Sequence, residues 1–270
     1  MNIKSQLQSF ALKNGFIVNK AVAPNEIKDF ILRFNSKYES IDLVRIGGDG
    51  DGGYLLPDNF KSVEYCFSPG VDYTANFEGQ LSKDYGIKSF MADASVSKPP
   101  LIDDNLIFIS KFLGSKNDSQ FISLSDWIED SIADDMDNKI LQMDIEGGEY
   151  DVLISESAKT LAQFSSMVIE FHGLQNLFDR YFLQMVSTIF EKIYQNFSIC
   201  HVHPNNCSPV ASLNGIDVPR TIEVSFIRND LIEKFKSDLP VSLPHSLDQK
   251  NVENKPDVSM PEPWWKKDLL

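Results

Sequence analysis

Between about residues 63 and 171, short apolar runs alternate with segments of helical spacing, and this alternation limits the folds open to the chain. The apolar runs are VEYCFS, KSFMAD, LIFIS, KILQMD and MVIEF, and segments such as ANFEGQLSKDYG and SLSDWIEDSI separate them. Strands separated by helices pair in parallel, because the crossover returns the chain to the same end of the sheet. The sequence therefore predicts an α/β fold whose mostly parallel sheet has helices on both faces.

The end of this pattern predicts one edge of the sheet. Segment 175–196 places large apolar residues at spacings of four, three, four and four, which is typical of an amphipathic helix packed on the sheet. FSICHVH and TIEVSFIR follow, joined only by a turn-rich connection, and this predicts an antiparallel pair at the edge. About seven strands are expected in total.

The two ends of the chain differ from its middle. Residues 24–34 carry apolar side chains on one helical face, whereas prolines are frequent and periodicity is weak after about residue 236. We expect an N-terminal helical extension docked on the core over residues 1–40, a main domain over 41–236 and a proline-rich C-terminal tail over 237–270. Trp264 and Trp265 favour a docked tail, and they would suit either a cap on the active site or a subunit contact.

The charge balance excludes several classes of partner. Lys and Arg total 25 against 39 for Asp and Glu, and the net charge of −14 opposes binding to nucleic acid or to anionic lipid. No apolar run reaches the roughly 18 residues of a membrane span, and the first residues lack a signal-peptide pattern. Cys66, Cys200 and Cys207 form no CxxC motif. We therefore expect a cytoplasmic protein with reduced thiols, and a homo-oligomer is one open option.

Polar residues at the strand ends are the first candidates for a site, because an open parallel sheet binds ligands beyond the carboxyl ends of its strands. In CFSPGVDYTANFE, Ser68 and Gly70 form a tight turn where a ligand can approach the backbone, although an ordinary turn explains them equally well. Asp93 follows Gly70 by 23 residues, the position of an acid that accepts hydrogen bonds from a ribose diol. Alone, it is a strand-ending Asp.

The most informative segment is KILQMDIEGGEYDVL. It runs from apolar residues into Asp144, Glu146 and Glu149, three carboxylates that repel one another unless a cation or hydrogen-bond donors offset them. The next strand, MVIEFHG, ends in Glu170 and His172, which alternation places on the same face. Together with Asp144 they would form a hard-cation site or an acid–base pair, the alternatives being a helix-capping acid and a structural histidine.

Two further segments have candidate binding residues. HVHPNNC carries His201 and His203 on one strand face, followed by Asn205 and Asn206, and metal ligation by both histidines is the less favoured interpretation. RIGGDGDGGYLL, residues 45–56, has five glycines but neither P-loop nor EF-hand spacing. Its polar residues are Arg45, Asp49, Asp51 and Tyr54. It would be a binding loop over a ligand or a flexible hairpin.

In this order, the segments resemble the FkbM-type family of S-adenosylmethionine-dependent methyltransferases over roughly residues 41–230. QMDIEGGEYDVL is similar to the strand-four motif of that family, SLSDWI precedes it, and VIEFHG, HVHPNN and RIGGDGDGGYLL resemble segments of a related subset. One departure is that the usual GxGxxG turn after the first strand is replaced by SPGVDY, so a different backbone path would hold the methionine end of the cofactor.

The resemblance implies a Rossmann-like class I methyltransferase domain that uses S-adenosylmethionine, most often for O-methylation of a sugar or a related hydroxylated molecule. Asp93 would bind the ribose, and Ser125 and Asp126 would lie near the adenine. The predicted cofactor-binding residues are Ser68, Gly70, Asp72, Glu78, Asp93, Ser125, Asp126 and Asp144. The predicted substrate-binding residues are Arg45, Asp51, Tyr54, His203, Asn205 and Asn206, with Arg180 and Arg220 as further candidates for the phosphates of a nucleotide-linked sugar.

The predicted catalytic residues are Asp144, Glu170 and His172, and the same three are the predicted ligands of a divalent metal. A Mg or Mn ion chelated by two vicinal hydroxyls would orient the acceptor and lower the pKa of a hydroxyl, and His172 or a carboxylate would remove the proton. Two alternatives stay open. One is a metal-dependent hydrolase that uses these residues with His203, and the other is a non-catalytic binding module on the same fold.

Overall fold

The computed structural model describes residues 3–132 and 138–266. The helices of these residues are α1 Ile3–Lys13, α2 Pro24–Ser36, α3 Asn76–Tyr85, α4 Leu124–Ser131, α5 Glu149–Ser155, α6 Ala158–Leu161, α7 Arg180–Ile193 and α8 Ile232–Phe235. The strands are β1 Leu43–Ile46, β2 Tyr54–Pro57, β3 Tyr65–Pro69, β4 Lys88–Ala92, β5 Leu106–Ile109, β6 Phe112–Leu113, β7 Phe121–Ile122, β8 Lys139–Met143, β9 Phe164–Phe171, β10 Phe197–Pro204, β11 Ala211–Leu213, β12 Ile216–Val218 and β13 Ile222–Arg228.

Seven of these strands form the central sheet, in the order β5-β4-β3-β8-β9-β13-β10. The pairs from β5 to β9 are parallel, and β13 is antiparallel to both of its neighbours. Numbered along the chain, the order is 3-2-1-4-5-7-6, which is a Rossmann-like arrangement with an antiparallel seventh strand inserted beside the edge. The prediction of a class I methyltransferase fold, with about seven strands and an antiparallel edge pair, is therefore confirmed.

The core lies on both faces of this sheet because alternate residues of each strand point in opposite directions. Phe67 and Leu141 face α4, α5 and α7 in the larger apolar cluster. Their sequence neighbours Cys66 and Ile140 face α3 and the β1–β2 hairpin in a second cluster. Burial on both faces explains why β8 and β9 read as nearly continuous apolar runs.

The predicted helix over segment 175–196 is shorter than expected. Leu174–Phe178 forms a separate 3₁₀ turn, and α7 begins only at Arg180. Asp179 sets this boundary, because its carboxylate accepts hydrogen bonds from the backbone N–H groups of Tyr181 and Phe182. Apolar spacing alone did not reveal the cap. The connection between β10 and β13 likewise contains a short hairpin, β11–β12.

The C-terminal segment and α2 pack on the core, whereas α1 has no buried residue. Trp264 is buried and packs against Phe30 and Phe34 of α2, with ring centroids 6.1 and 5.2 Å apart. The division at residues 40 and 236 stays a prediction, and residues 1–2 and 267–270 of the predicted extension and tail lie outside the described residues. In the part of the chain that the structure describes, no helix combines the length and apolar character needed to cross a bilayer.

Candidate active site

A cavity of about 620 Å³ opens at the carboxyl ends of β3, β4 and β8. Between β3 and β8 the chain connections diverge to opposite sides of the sheet, and such a switch point is where open α/β sheets bind ligands. Its polar lining includes Asp51, Tyr54, Asp72, Glu78, Asp93, Gln142, Asp144 and Glu146. Its apolar wall is formed by Phe112, Leu113 and Phe121, among others.

The turn after β3 connects three strands at the floor of this cavity. The Gly70 N–H donates to the carbonyl of Ala92 at 3.0 Å, and the Asp144 N–H donates to the carbonyl of Pro69 at 3.3 Å. Gly70 has a φ of +87°, and a Cβ there would lie 1.6 Å from the Asp144 carbonyl oxygen. Glycine is thus required because the backbone of Asp144 lies so close to position 70. The prediction from the sequence was instead that a ligand approaches the backbone there.

Asp93 ends β4 and lines the same cavity. It is almost fully buried, and its two carboxylate oxygens accept hydrogen bonds from the backbone N–H groups of Asp72 at 2.9 Å and Ser95 at 2.7 Å. These bonds fix the carboxylate, and each oxygen keeps a second lone pair. Asp93 can therefore accept further hydrogen bonds from a ligand.

Ser68 belongs to a buried polar network behind the cavity wall. Its hydroxyl contacts the carboxyl group of Glu78 and, at 2.5 Å, the amide oxygen of Gln142. The Gln142 amide donates to the Tyr54 hydroxyl at 3.3 Å. Burial raises the pKa of Glu78, and a protonated Glu78 can donate to Ser68, which then donates to Gln142. Ser68 itself does not line the cavity, whereas Glu78, Gln142 and Tyr54 do.

His172 lies at the centre of a group of acids. Its Nδ1 is 2.9 Å from Glu149 Oε1, and its Nε2 is 3.8 Å from Asp144 Oδ1, 3.6 Å from Glu170 Oε1 and 3.5 Å from Glu146 Oε2. Glu149 Oε1 also lies within hydrogen-bonding distance of the Ile145 and Gly147 N–H groups. Glu149 thereby orients the imidazole so that Nε2 faces Asp144 and Glu170.

The electrostatics of this group follow from burial and crowding. Burial, reinforced by the neighbouring acids, raises the pKa of Asp144 to about 7 and holds the pKa of Glu170 well above its ordinary value. Burial alone would lower the pKa of His172, but the Glu149 hydrogen bond and the surrounding carboxylates outweigh it, so that this pKa is raised. Protons are therefore shared within the group near neutral pH.

The same group has the donor set of a hard divalent cation. Asp144 Oδ1, Glu149 Oε2 and Glu170 Oε2 are buried and have no hydrogen-bond partner within the described residues. Carboxylate oxygens with one imidazole nitrogen suit Mg²⁺ or Mn²⁺. The residues present therefore fit such an ion. Asp144 and His172 come together with Glu149 as a candidate ligand group, and Glu149 was not in the predicted set.

The acids continue as a row across the sheet. Asp144 and Glu170 directly follow the paired Met143 and Ile169 of β8 and β9. Glu170 then pairs with Glu223 on β13, which pairs with His203 on β10. Glu223 was not predicted from the sequence, although a single acid in the apolar run TIEVSFIR was the available signal. Burial raises its pKa, and Asn251 donates to it at 2.6 Å.

The glycine-rich segment is the turn of the β1–β2 hairpin. The Arg45 guanidinium spans this turn, donating to the carbonyls of Gly48 at 2.6 Å and Gly50 at 2.9 Å. Arg45 therefore stabilises the loop and does not line the cavity, whereas Asp51 and Tyr54 do line it.

Several predicted residues lie outside the cavity lining. Ser125 contacts Glu156, and Asp126 contacts Ser123 and Asn117 at the start of α4. Asn205 donates to Glu170 at 2.8 Å, while Asn206 donates to the carbonyl of Val252 in the tail. Arg180 pairs with Glu26 at 3.3 Å. By contrast, the sequence did not predict the apolar cavity wall of Phe112, Leu113 and Phe121. Only the short apolar pairs in KFLG and SQFI could have indicated it.

Comparison with known proteins agrees with this architecture. The model of the methyltransferase FkbM domain matches residues 102–196. A search of curated proteins gave no match. Similar solved structures include an S-adenosylmethionine-dependent methyltransferase of Archaeoglobus fulgidus, with 11% identity, coverage of 84% of this chain and 100% of that chain, and a TM-score of 0.35. Another S-adenosylmethionine-dependent methyltransferase structure, from Listeria monocytogenes, is 13% identical. The match covers 64% of this chain and 94% of that chain, with a TM-score of 0.39.

Those structural scores are low, so the fold assignment rests on the strand order of the sheet. The matched segment 102–196 contains β8 and β9, whose ends supply Asp144, Glu170 and His172. The family model covers 95 of the 270 residues, and this match together with the strand order supports the similarity of the chain to the FkbM-type family of S-adenosylmethionine-dependent methyltransferases.

Proposed function

We propose that the protein transfers the methyl group of S-adenosylmethionine to a hydroxyl oxygen of a sugar or a nucleotide-linked sugar. The observation that carries this proposal is the position of Asp144. Its backbone contacts the Gly70 turn of the cavity, while its carboxylate belongs to the acid group around His172. A cofactor in the cavity and a hydroxylated acceptor at the acid group would therefore meet at one residue.

The cavity supports a nucleoside-containing cofactor. Asp93 offers two fixed carboxylate oxygens to the ribose hydroxyls. Phe112, Leu113 and Phe121 form an apolar wall against which an adenine ring can pack. A sulfonium centre is cationic, so the acids at the far end of the cavity favour that end of the cofactor electrostatically.

The acid group supports a hydroxylated acceptor. Carboxylates are hydrogen-bond acceptors and match the hydroxyl donors of a sugar. Aligning one hydroxyl oxygen with the S–CH₃ bond can supply roughly 7 to 11 kcal/mol of the barrier. Without a bound ion, the hydroxyl proton would pass to the Asp144 carboxylate, whose pKa of about 7 suits a base at neutral pH, or to His172 Nε2.

A divalent metal ion fits the same residues. Asp144, Glu170 and His172 would hold it, and Mg²⁺ or Mn²⁺ would supply Lewis-acid polarisation of the acceptor hydroxyl. Glu149 would act as a positioning residue, because its hydrogen bond to His172 Nδ1 keeps Nε2 directed at the two acids.

A nucleotide-linked acceptor also needs a cation for its phosphates. Arg220 lies two residues before β13, near the end of the sheet where β9 ends at Phe171. Its Nε atom is buried and has no hydrogen-bond partner within residues 3–132 and 138–266. Arg220 is therefore a better candidate than Arg45 or Arg180, whose guanidinium groups already bind carbonyls or Glu26.

The proposal is tested in two steps. Calorimetric titration of S-adenosylmethionine and S-adenosylhomocysteine, with and without Mn²⁺, should show micromolar binding. Methyl-labelled cofactor should then transfer label to a member of a panel of free and nucleotide-linked sugars, and EDTA should suppress transfer until Mg²⁺ or Mn²⁺ is restored.

Each contradictory outcome points to a different alternative. Absence of cofactor binding in both conditions would contradict the methyltransferase assignment and favour the metal-dependent hydrolase. Cofactor binding without transfer to any hydroxylated acceptor would favour a binding module. Transfer that is insensitive to EDTA would remove the metal and leave a metal-free base.

A further inference from the structure

A second cluster of ligating side chains lies beside the edge strand, away from the cavity. The chain has four histidines, and three of them, His201, His203 and His245, gather around Asp248. His201 Nε2 is 2.8 Å from Asp248 Oδ1, and His203 Nδ1 is 3.7 Å from Asp248 Oδ2. The ring centroids of His201 and His245 are 5.8 Å apart.

Local structure brings these residues together. His201 and His203 are two residues apart on β10, so both side chains lie on one face of the sheet edge. The tail supplies the other two, in a turn where the Asp248 N–H donates to the carbonyl of His245 at 3.0 Å and the His245 N–H donates to Asp248 Oδ2 at 2.6 Å. The tail therefore meets β10 through side chains that are all able to ligate a metal.

One atom of the cluster is unsatisfied. His203 is 5% exposed, and its Nε2 is buried without a hydrogen-bond partner in the described part of the chain. A buried imidazole nitrogen without a partner loses its hydration and gains no bond in return. Hydrogen bonding to Asp248 therefore does not account fully for this histidine.

We propose that His201, His203 and Asp248 bind one transition-metal ion of the Zn²⁺ class, with His245 or water in a fourth position. One ligand atom from each of the three residues lies within 4.8 Å of the others, so small side-chain movements bring them to one ion. Two imidazoles and one carboxylate are typical zinc ligands. This set is richer in nitrogen than the group around His172, where carboxylate oxygens dominate and Mg²⁺ or Mn²⁺ fits better.

The ion would anchor the tail against the sheet. Three residues beyond Asp248, Asn251 donates to Glu223 at 2.6 Å and to Asp51 of the glycine-rich turn at 3.2 Å. Fixing Asp248 would thus hold the tail where it contacts the row of acids and the hairpin. This role is structural and does not depend on the proposed methyl transfer.

Metal-stripped full-length protein provides the test, with Zn²⁺ titrated by calorimetry and Co²⁺ followed by its absorption. In His172→Gln, which lacks the imidazole of the acid group, we expect one Zn²⁺ ion per chain, release of protons on binding, and a Co²⁺ spectrum of tetrahedral type. His201→Gln and Asp248→Asn should each lower Zn²⁺ affinity by more than the roughly 10- to 100-fold that loss of an outer-sphere partner costs. His172→Gln is the matched control and should retain Zn²⁺ binding.

A second readout is independent of the variants. Lys250 is exposed two residues after Asp248, so Zn²⁺ should slow tryptic cleavage there in the wild-type protein. Two outcomes would overturn the proposal: no Zn²⁺ binding by the metal-stripped wild-type protein, or binding that is lost in His172→Gln and kept in His201→Gln. Circular dichroism of the metal-free variants is the control for folding.

Discussion

Asp144 has two roles at the scale of a single residue. Its backbone N–H and carbonyl meet the Pro69–Gly70 turn, and its carboxylate faces His172. The side chain is about a quarter exposed, which leaves it accessible from the cavity. Changing only the carboxylate to an amide should therefore leave the turn intact while removing the charge.

Asp144→Asn should abolish methyl transfer and preserve the fold. Loss of the proposed proton acceptor and cation ligand predicts a fall in turnover of at least roughly 100-fold. Turnover with labelled cofactor measures this, and the circular dichroism spectrum is the folding control. Near-normal turnover would remove Asp144 from the catalytic residues.

Glu78 predicts a pH dependence of stability. Its pKa is raised by burial, so its contribution to stability is fully present below the unfolded pKa and is lost as pH rises through the folded pKa. Glu78→Gln has no charge to desolvate, and the melting temperature of the variant relative to wild type should therefore increase with pH. Thermal scans between pH 5 and pH 8 measure this, with exposed Glu129→Gln as control, and a difference that is constant with pH contradicts the prediction.

Single residues were predictable where the sequence pattern itself carries the signal. Asp144, Glu170 and His172 follow apolar runs, so their position at strand ends could be inferred, and the structure brings them together. Glu223 was not predictable in this way, because it lies within a run and its meaning depends on pairing with Glu170. Asp248 reaches His201 from the tail, and no local pattern encodes such a contact.

At the scale of the element, the β3 turn connects the cavity to the acid group. The turn has no GxGxxG pattern, and its one glycine, Gly70, has left-handed backbone geometry and lies against β8. A side chain at position 70 would raise the conformational energy of the backbone, because the φ angle is positive. It would also overlap the Asp144 carbonyl oxygen, which has no free space to move.

Gly70→Ala should lower the free energy of unfolding by more than about 3 kcal/mol, because strain and overlap add. Gly86→Ala is the matched control. Gly86 has a φ of +70° with nothing within 4 Å of a Cβ, so only about 1 to 2 kcal/mol is expected there. Urea unfolding measures both, and equal losses would show that the contact with Asp144 does not matter.

Element type was better predicted than element ends. The alternation of apolar runs with segments of helical spacing predicted the sheet and its antiparallel edge. Buried positions recur at a fixed period in strands and helices, so this period is visible in the sequence. The beginning of α7 depends on one capping carboxylate, Asp179, and the α5–α6 break on the Ser157 hydroxyl, which accepts from the Thr160 N–H. Such single hydrogen bonds leave little trace in apolar spacing.

At the scale of the whole molecule, the tail closes the apolar core on the side of α2. Trp264 is 1% exposed, packs between Phe30 and Phe34, and donates its indole N–H to the carbonyl of Asp217 at 3.1 Å. Trp265 beside it is only half-buried. The tail is therefore part of the folded unit. Neither tryptophan lines the cavity, whereas Asn251 of the tail contacts Asp51, which does line it.

Trp264→Ala should destabilise the protein by about 3 to 5 kcal/mol, since a large buried ring is removed. Trp265→Ala should cost less than half as much. Cofactor affinity should be unchanged in both, because neither ring lines the cavity. Urea unfolding and calorimetry measure these two quantities, and a selective loss of cofactor affinity in Trp264→Ala would contradict the separation.

The contact of Gly70 with the Asp144 carbonyl has a consequence for how the two ligands bind. A cofactor that shifts the turn would also shift the backbone that carries the proposed catalytic carboxylate, because no free space separates Gly70 from the Asp144 carbonyl oxygen. Binding should then be cooperative, and thermodynamic reciprocity requires the acceptor to tighten the cofactor by the same factor. A lower cofactor dissociation constant in the presence of the acceptor is the expected signature of this shared contact.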